Sequence, residues 1–365
     1  MPLPNDARSV GRPTLDILGM PVPDKEFATQ RALRDGHRRR PVMLAIAGDS
    51  ASGKTTLTKG LVQALGPNRV TAICVDDYHR YDRIERKNVP FTPLHPDCNY
   101  MDIMEQHLQL LALGHPVLKP VYGHANGTLD RPQLVEPREF VIIEGLLPLH
   151  TRLSQACFDI KVYLDPPEEI RRGWKIRRDT RDRGYSEAQV LADLDKREPD
   201  SAAFIRPQRR DADIVVRFAP IHERGETKSD PLSVQLLLRP TIAHPDLVTI
   251  LEDTPRQAMH LKLVRDENNR PVDALHIHGY ADPAVSKRVE QAIWKEVMGT
   301  DDGERPVPPS LGEIGDGPRL EPLALTQLLL LHHMLNVAHD RHGDYASNGA
   351  ATQAPAAMER DLTLS

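Results

Sequence analysis

A glycine-rich stretch, MLAIAGDSASGKTT from Met43 to Thr56, constrains the fold of this chain more than any other part of its sequence. Its apolar first part stops at Gly48, and after four residues the tripeptide Gly53-Lys54-Thr55 completes the pattern G-x-x-x-x-G-K-[ST]. In this pattern backbone N–H groups turn onto phosphate oxygens, the lysine adds charge near the β- and γ-phosphates, and the hydroxyl can hold Mg²⁺. The stretch therefore predicts a loop that binds a nucleoside triphosphate.

The surroundings of this loop support the prediction. An amphipathic stretch follows, and a helix over Thr55–Ala64 would direct the positive end of its dipole at the bound anion. A glycine-rich turn without function is the alternative, but with glycine near 7% of residues the pattern arises by chance in roughly one chain in a hundred of this length. We expect the nucleotide to contact one continuous run of residues: Gly48, Asp49, Ser50, Ala51, Ser52, Gly53, Lys54, Thr55 and Thr56.

The overall composition argues against several classes of protein. The 365 residues carry a formal net charge of −5, whereas a general nucleic-acid binder would be basic. Three cysteines, Cys74, Cys98 and Cys157, are too few for a disulfide framework. The N-terminus lacks the apolar core of a secretory signal, and no run approaches the ~20 apolar residues of a membrane span. We expect a cytoplasmic homo-oligomer that binds neither nucleic acid nor membrane.

Apolar and amphipathic segments alternate from Val42 onward. The predicted strands are Val42–Ala47, Val70–Val75, Phe140–Glu144 and Phe158–Leu164. The predicted helices are Thr55–Ala64, Met101–Leu113 and Glu168–Arg178. This alternation predicts an α/β protein with the P-loop NTPase fold, in which helices flank a mainly parallel sheet. Ligands of such sheets bind beyond the carboxyl ends of the strands, which is where the candidate site residues fall.

The C-terminal part of the chain predicts added strands and helices. Strand-like segments are Ile214–Phe218, Ser233–Leu238, His260–Val264 and Ala274–His278, followed by a helix from Pro283 to about Met298. A last apolar helix, Leu323–Val337, could pack on the core or on a partner helix. We expect four regions: a disordered or extended tail (1–40), a P-loop core with a lid (41–220), a C-terminal α/β extension of the sheet (221–300), and a linker, helix and disordered tail (301–365).

Two carboxylates, Asp76 and Asp77, follow the second predicted strand. An enzyme that transfers a phosphoryl group to a hydroxyl needs a base, and a carboxylate commonly serves. We assign this role to Asp76 and leave Asp77 open between a role and a helix-capping or solvent-exposed position. His79 and Arg83 are four residues apart, so on one helical turn they would share a face and could bind a sugar hydroxyl and a second phosphate.

Two further positions are candidates for the site. Tyr122 and His124 alternate in an extended segment and could both face a substrate, although a packed tyrosine and an exposed histidine fit the pattern equally well. Glu144 ends the third predicted strand, where P-loop enzymes place the residue that orients Mg²⁺ or its water. A buried strand would not otherwise end in an unpaired glutamate, so we expect Glu144 to serve the metal with Thr55.

The most charged stretch of the chain, residues 168–184, predicts a lid. On a helix Arg171, Lys175 and Arg178 share one face, and Asp179 and Arg183 share another. A solvated face with ion pairs is the usual interpretation of such a run. Its many basic residues repel one another unless an anion lies among them, which favours a lid that closes over phosphates and stabilises charge during transfer. We expect the lid helix to end at Gly184 and a return helix to span Ser186–Arg197.

Taken in order, these motifs resemble the phosphoribulokinase family of P-loop sugar-phosphate kinases, which is related to uridine kinase. The closest resemblance is to its plant and cyanobacterial branch, and it covers about residues 42 to 218. It rests on the segments GDSASGKTT, VDDYHRYDR, KPVYGH, VIIEGL, YLDPPEEIRRGWKIRRDTRDRGYS and FIRPQRRDADIVV.

The resemblance implies an activity and a role for each site residue. ATP, with Mg²⁺, would phosphorylate the 1-hydroxyl of a small sugar phosphate, ribulose 5-phosphate, to give ribulose 1,5-bisphosphate. Asp76 would be the catalytic base, Glu144 would serve the Mg²⁺–ATP, and Lys54 would act with them in catalysis. The sugar-phosphate pocket would contain His79, Arg83, Tyr122 and His124, and the transition-state and substrate contacts would come from Lys175, Arg178, Asp179 and Arg183.

One departure from the family pattern concerns regulation. Photosynthetic members pair a P-loop cysteine with a second cysteine just before the catalytic aspartate. Here Cys74 occupies the second position but Ser52 occupies the first, so we expect this disulfide and its redox control to be absent.

Two other functions fit parts of the sequence. A uridine-kinase-like nucleoside kinase shares the loop and the lid pattern, but a neutral nucleoside does not require the basic set His79, Arg83, Arg86 and Lys87. A non-catalytic nucleotide sensor would tolerate loss of the base, yet Asp76 and Glu144 are both present. Another sugar phosphate as the acceptor also remains open.

Overall fold

The structure is a computed structural model, and it describes residues 40–123, 126–220, 231–252, 254–256, 258–298, 306–314, 317 and 319–350. Its strands are β1 (Val42–Gly48), β2 (Val70–Cys74), β3 (Val117–Gly123), β4 (Thr128–Val135), β5 (Phe140–Gly145), β6 (Ile160–Leu164), β7 (Ile214–Ala219), β8 (Ser233–Leu238), β9 (Met259–Arg265) and β10 (Pro271–Ile277). Its helices are α1 (Lys54–Leu65), α2 (Met101–Ala112), α3 (Arg152–Gln155), α4 (Glu168–Arg183), α5 (Glu187–Asp200), α6 (Leu247–Ile250), α7 (Pro283–Met298) and α8 (Glu321–Ala350). The predicted tail, apart from residue 40, and residues 351–365 lie outside this description.

Eight strands form one sheet in the order β2-β5-β1-β6-β7-β8-β10-β9. The first five of these are parallel neighbours, and β8, β10 and β9 continue the sheet with antiparallel pairing. The predicted α/β class with a mainly parallel sheet is therefore confirmed. The central strands β1 and β5 are buried along their whole length, as their near-continuous apolar sequences require.

The sheet carries an apolar core on each face, because successive side chains of β1 point in opposite directions. Leu44 and Ile46 belong to the core that also contains residues of α1, α7 and α8. Met43 and Ala45 belong to the opposite core, which includes Met104 of α2 and its neighbours. Both cores are therefore built around the same central strand.

The hairpin of β3 and β4 was not predicted as strands from the sequence. These two strands pair only with each other within the described residues, apart from the main sheet. β4 is exposed along nearly its whole length and contains Pro132, which cannot donate to a ladder. Without a buried face there is no alternating apolar pattern to read.

Helix α8 is part of the core rather than a surface for a partner. Every residue from Pro322 to Met334 is buried, including the four consecutive leucines Leu328–Leu331. The helix contacts α1, α7, β1 and β8. A helix that is apolar all round must be enclosed, and here the sheet and two helices enclose it. None of the helices described combines the length and the apolar composition needed to cross a bilayer.

We expect Leu328→Ala to lower the free energy of unfolding by about 2–5 kcal/mol, because the substitution opens a cavity in the core beneath the sheet. Leu328 is 0% exposed, whereas Leu153 on α3 is 50% exposed. The control Leu153→Ala should change the stability by no more than about 0.5 kcal/mol. Urea unfolding followed by circular dichroism measures both, and equal effects would contradict the core position of α8.

Candidate active site

The glycine-rich loop joins the central strand β1 to the N-terminus of α1, as the sequence predicts. Gly48 has φ +147°, and a Cβ there would lie 2.8 Å from the carbonyl oxygen of Leu164 on the adjacent strand. Gly53, with φ +99°, precedes the first turn of α1. Only glycine fits both the conformation and the close approach at position 48. The loop therefore presents its backbone at the carboxyl end of the sheet, beside a helix N-terminus.

The buried side chain of Arg171 stabilises the loop. The Arg171 guanidinium donates to the Ser50 carbonyl at 3.0 Å and lies 3.4 Å from the Asp49 carboxylate. The other oxygen of Asp49 accepts a hydrogen bond from the Ser201 hydroxyl. Asp49 thus connects the loop to α4 and to a π-helical turn that begins at Ser201. Its side chain holds the loop in place instead of facing a ligand.

A cavity of about 780 Å³ opens over the loop. It contains seven of the nine predicted nucleotide-binding residues, Ser50 to Thr56, while Gly48 and Asp49 do not line it. The Lys54 ammonium donates to the carbonyls of Gly48 at 2.9 Å and Asp49 at 2.8 Å. The other lining residues are Leu57, Cys74, Asp76, Glu144, Gly145, Leu146, Trp174, Arg177, Arg178, Arg183, Phe218, Leu232, Ile314, Leu320, Pro322 and Leu323.

Glu144 lies at the end of β5 and faces the same cavity. Its Oε2 accepts a hydrogen bond from the Thr55 hydroxyl at 3.2 Å. Burial raises the pKa of the Glu144 carboxyl group above its ordinary value, although the charge of Lys54 and the hydrogen bond from Thr55 oppose this. A hydroxyl and a carboxylate side by side are hard oxygen donors, the set that Mg²⁺ takes together with phosphate oxygens. No cluster of three or more His, Cys, Asp or Glu side chains suited to a metal occurs in the described residues.

Asp76 lies in the 3₁₀ turn Val75–Tyr78 that follows β2. Its Oδ1 atom is buried, and no described residue donates a hydrogen bond to it. A buried carboxylate oxygen without a donor is costly, which is typical of an atom whose partner is a ligand. The neighbouring Asp77 instead pairs with the Lys119 ammonium and accepts from the Tyr122 N–H at 3.0 Å. Asp77 therefore connects this turn to β3 and is neither a helix cap nor fully solvent-exposed.

A second cavity of about 300 Å³ adjoins the first. The two cavities share Ser50, Asp76, Leu146, Arg178 and Arg183. The second is also lined by His79, Arg83, Arg86, Pro93, Tyr122, Lys175, Asp179, Tyr185, Gln189, Val190, Asp193 and Arg197. Its lining contains six arginine or lysine side chains and three carboxylates. The surplus of positive charge favours an anionic ligand.

The charged helix α4 is organised around one buried acid, Asp179. Its carboxylate accepts from the Lys175 ammonium at 2.6 Å and from Arg178 Nε at 2.8 Å, and Arg183 lies 3.6 Å away. Burial opposes ionisation, but the hydrogen bonds from Arg178 and Lys175 outweigh it and lower the pKa of Asp179. Burial also lowers the pKa of the Lys175 ammonium. Gly184 at φ +72° ends α4, and α5 returns from a Ser186–Gln189 capping box.

His79 and Arg83 line the second cavity, as expected of acceptor-binding residues, but not from a shared helical turn. The predicted helical turn containing His79 and Arg83 is wrong, because the 3₁₀ turn ends before His79 and the backbone of His79 bridges to Asn99. Both side chains nevertheless line the cavity. Tyr122 is packed against the His79 ring, with 5.0 Å between centroids, and the Arg86 guanidinium lies over the Tyr122 ring. His124 lies outside the described residues.

Two groups of lining residues escaped the sequence reasoning. On the return helix α5 these are Gln189, Asp193 and Arg197, whose spacing gives a partial signal at i, i+4 and i+8, and Tyr185 just before the helix is a fourth. The second group consists of seven apolar residues of the larger cavity: Trp174, Phe218, Leu232, Ile314, Leu320, Pro322 and Leu323. These lie up to 149 residues apart in the chain, so no local pattern could connect them.

A family model and two relatives match this chain, and all three point to the same family. The model of the phosphoribulokinase/uridine kinase family matches residues 43–223. A phosphoribulokinase from Synechocystis sp. is 40% identical over 198 residues, which cover 54% of this chain and 60% of that protein. A uridine kinase from Oceanobacillus iheyensis is 31% identical over 187 residues, which cover 49% of this chain and 87% of that protein.

A solved structure supports the fold alone. The phosphoribulokinase from Rhodobacter spheroides superposes with a TM-score of 0.52 at 16% identity, over 71% of this chain and 96% of that one. A phosphoribulokinase from Spinacia oleracea is 34% identical to this chain. The match spans 60% of the length of the Synechocystis protein and 50% of the length of the Spinacia protein.

We expect Glu144→Gln to make the ligand-free protein more stable than wild type at pH 7. The folded-state pKa of Glu144 is raised, so its ionised form opposes folding above the ordinary carboxyl pKa, and this penalty disappears as the pH falls below that value. The gain should therefore shrink towards pH 4. Urea unfolding at several pH values measures it.

The exposed Glu187 on α5 provides a control. Its carboxylate lies in the first turn of that helix, where negative charge is favourable. Glu187→Gln should therefore leave the stability unchanged or slightly lower at pH 7. A loss of stability on Glu144→Gln at pH 7 would contradict the assignment of unfavourable burial.

Proposed function

Because the chain belongs to the phosphoribulokinase/uridine kinase family, we propose that it transfers the γ-phosphoryl group of ATP to a hydroxyl of a pentose phosphate. The acceptor we propose is ribulose 5-phosphate, which would yield ribulose 1,5-bisphosphate. The observation that carries this proposal is the meeting of two cavities at one carboxylate, Asp76. The larger cavity contains the phosphate loop, and the smaller one is rich in positive charge.

The charge of the smaller cavity supports a phosphorylated acceptor. Arg83, Arg86 and Arg197 line it together with the cations that surround Asp179. Guanidinium groups bind phosphate through paired, charge-assisted hydrogen bonds. A neutral nucleoside would leave this surplus of positive charge without a counter-charge.

Asp76 is the proposed general base. It removes the proton of the attacking hydroxyl while the hydroxyl oxygen forms a bond to the γ-phosphorus. The bond between that phosphorus and the bridging oxygen breaks, and ADP leaves. The buried Oδ1 of Asp76, to which no described residue donates, is the atom best suited to accept the proton.

The cationic groups of the lid and loop stabilise the charge that moves. Lys54 lies on the loop, and Arg178 and Arg183 line both cavities, so they can contact the phosphoryl group in transit. Asp179 is a positioning residue, because it fixes Lys175 and Arg178. The Thr55 hydroxyl and the Glu144 carboxylate would hold Mg²⁺, and the metal would offset the negative charge of the phosphates.

A second candidate is a uridine-kinase-like nucleoside kinase. The observation in its favour is the Oceanobacillus uridine kinase, 87% of whose length this chain covers. Both candidates use the same loop and base, and they differ in what the smaller cavity must recognise. The acceptor therefore decides between them.

We expect ribulose 5-phosphate, and not uridine, to stimulate the release of ADP from ATP. The reason is the excess of guanidinium groups in the smaller cavity, which a nucleoside does not satisfy. A coupled ADP assay with a panel of pentose phosphates, free pentoses and nucleosides measures this. Stimulation by uridine alone would favour the nucleoside kinase, and preference for another pentose phosphate would change the proposed acceptor.

We expect Asp76→Asn to lower kcat by about 10²–10⁴-fold, the usual contribution of a general base. Asparagine keeps the shape but cannot take up the proton, so the affinity for ATP should stay nearly unchanged. The matched control is Asp77→Asn, which loosens the contact with Lys119 and should affect stability and the KM of the acceptor more than kcat. Normal turnover by Asp76→Asn would refute the mechanism.

A further inference from the structure

The larger cavity has an apolar end that the family resemblance does not account for. Besides Leu57 and Leu146, the large apolar residues that line it are Trp174, Phe218, Leu232, Ile314, Leu320, Pro322 and Leu323. The family match ends at residue 223, so the last five of these lie outside it. The phosphate loop is thus joined to a wall that comes from the C-terminal part of the chain.

This apolar end lies away from the acceptor. None of the seven apolar residues lines the smaller cavity as the described residues define it. The part that the two cavities share contains Ser50, Asp76, Arg178 and Arg183, with Leu146 as its apolar member. The Trp174 ring lies beside the phosphate loop, with its Cζ3 atom 4.0 Å from the point where a Cβ on Gly53 would be. The larger cavity therefore extends from Asp76, where the proposed transfer takes place, over the phosphate loop to an apolar wall.

A nucleoside triphosphate has one large apolar part, its base. With the γ-phosphoryl group at Asp76 and the other phosphates on the loop, the base extends towards the far end of the cavity. Apolar and aromatic side chains favour a flat ring there, because burial of apolar surface contributes about 25 cal/mol per Å².

We propose that Ile314 and residues 320–323 form one wall of the nucleotide-base subsite, with Leu320 and Ile314 in contact with the base. The inference rests on the proposed function in one respect, namely that the ligand of the loop is ATP. It names residues that bind the part of ATP which takes no part in the transfer.

The wall is held in place by contacts with the core. The Leu320 N–H donates to the Gly312 carbonyl at 2.9 Å, and the Gly312 N–H donates to Gln327 Oε1 of α8 at 2.7 Å. Gly312 has φ +84°, and a Cβ there would lie 2.7 Å from the Leu320 carbonyl oxygen. The Arg319 guanidinium pairs with Glu290 of α7 and with Glu321. A wall fixed before binding costs less ordering entropy when the base arrives.

The exposure of two of its side chains is consistent with this role. Ile314 is 46% exposed and Leu320 is 39% exposed, although Leu323 beside them is buried. Large apolar side chains that share an exposed patch at a cavity mark a binding surface more often than isolated ones do. A base placed against them would remove this apolar surface from water.

The test compares two probes that share the phosphates and differ in the base: ATP and inorganic tripolyphosphate, each with Mg²⁺, titrated calorimetrically into the full-length protein. The double substitution Ile314→Ala, Leu320→Ala should raise the Kd for ATP roughly tenfold, as expected when a few methylene contacts are lost from an apolar pocket. The Kd for tripolyphosphate should stay unchanged. The matched control Leu153→Ala should alter neither, and Leu320→Met should retain most of the affinity for ATP.

An unchanged Kd for ATP in the double variant would overturn the inference. Equal weakening of ATP and tripolyphosphate would overturn it too, since it would mean that the substitutions disturb the phosphate loop. Both results leave the proposed acceptor and base standing. If the wild-type protein binds tripolyphosphate as tightly as ATP, the base subsite is refuted. If it binds ATP normally but phosphorylates no pentose phosphate, only the proposed function is refuted.

Discussion

The burial of β1 at the centre of the parallel sheet is the constraint on which the site depends. β1 pairs with β5 on one side and β6 on the other, so that Ala47 is opposite Gly145 and Gly48 is opposite Leu164. The next pairing, of β2 with β5, sets Cys74 opposite Glu144. Parallel strands in this register end at one edge of the sheet. The phosphate loop, Glu144 and Asp76 therefore meet there, although they are far apart in the chain.

Close packing at this edge leaves no room for a side chain at position 145. Gly145 has φ +153°, and a Cβ there would lie 2.2 Å from a methyl carbon of Val75. The ends of β5 and β2 thus approach each other so closely that Glu144 and Asp76 line the same cavity. The carboxylate proposed for the metal and the one proposed for the proton owe their proximity to backbone packing, not to contact between their side chains.

The positive charge around the site is stable because buried acids organise it. Asp179 gathers Lys175 and Arg178, and Asp49 pairs with Arg171 behind the loop. Breaking such a buried pair by removing one partner leaves an uncompensated charge and costs about 3–5 kcal/mol. These acids therefore fix the cations in position before an anionic ligand arrives, which is the arrangement that electrostatic stabilisation of a transfer requires.

The sequence by itself determined the elements whose signals are local. The loop pattern, the apolar strands Val42–Ala47 and Ser233–Leu238, and the end of the lid helix at Gly184 all depend on neighbouring residues, and the structure reproduces them within one or two positions. The helical turn at His79 was wrong, because its backbone bridge to Asn99 is a contact between segments 20 residues apart. The hairpin β3–β4 escaped because its exposed strand has no apolar alternation.

Only the tertiary structure decided which distant segments share a cavity. Leu320 lines the same cavity as the phosphate loop because α8 packs against α1 and β1 in the core, and the sequence near residue 320 carries no sign of this proximity. The pairing of Asp77 with Lys119 is of the same kind. Local propensities and motifs are written in a few consecutive residues, whereas contacts between segments follow from the packing of the whole core, and that packing is settled only when the chain folds.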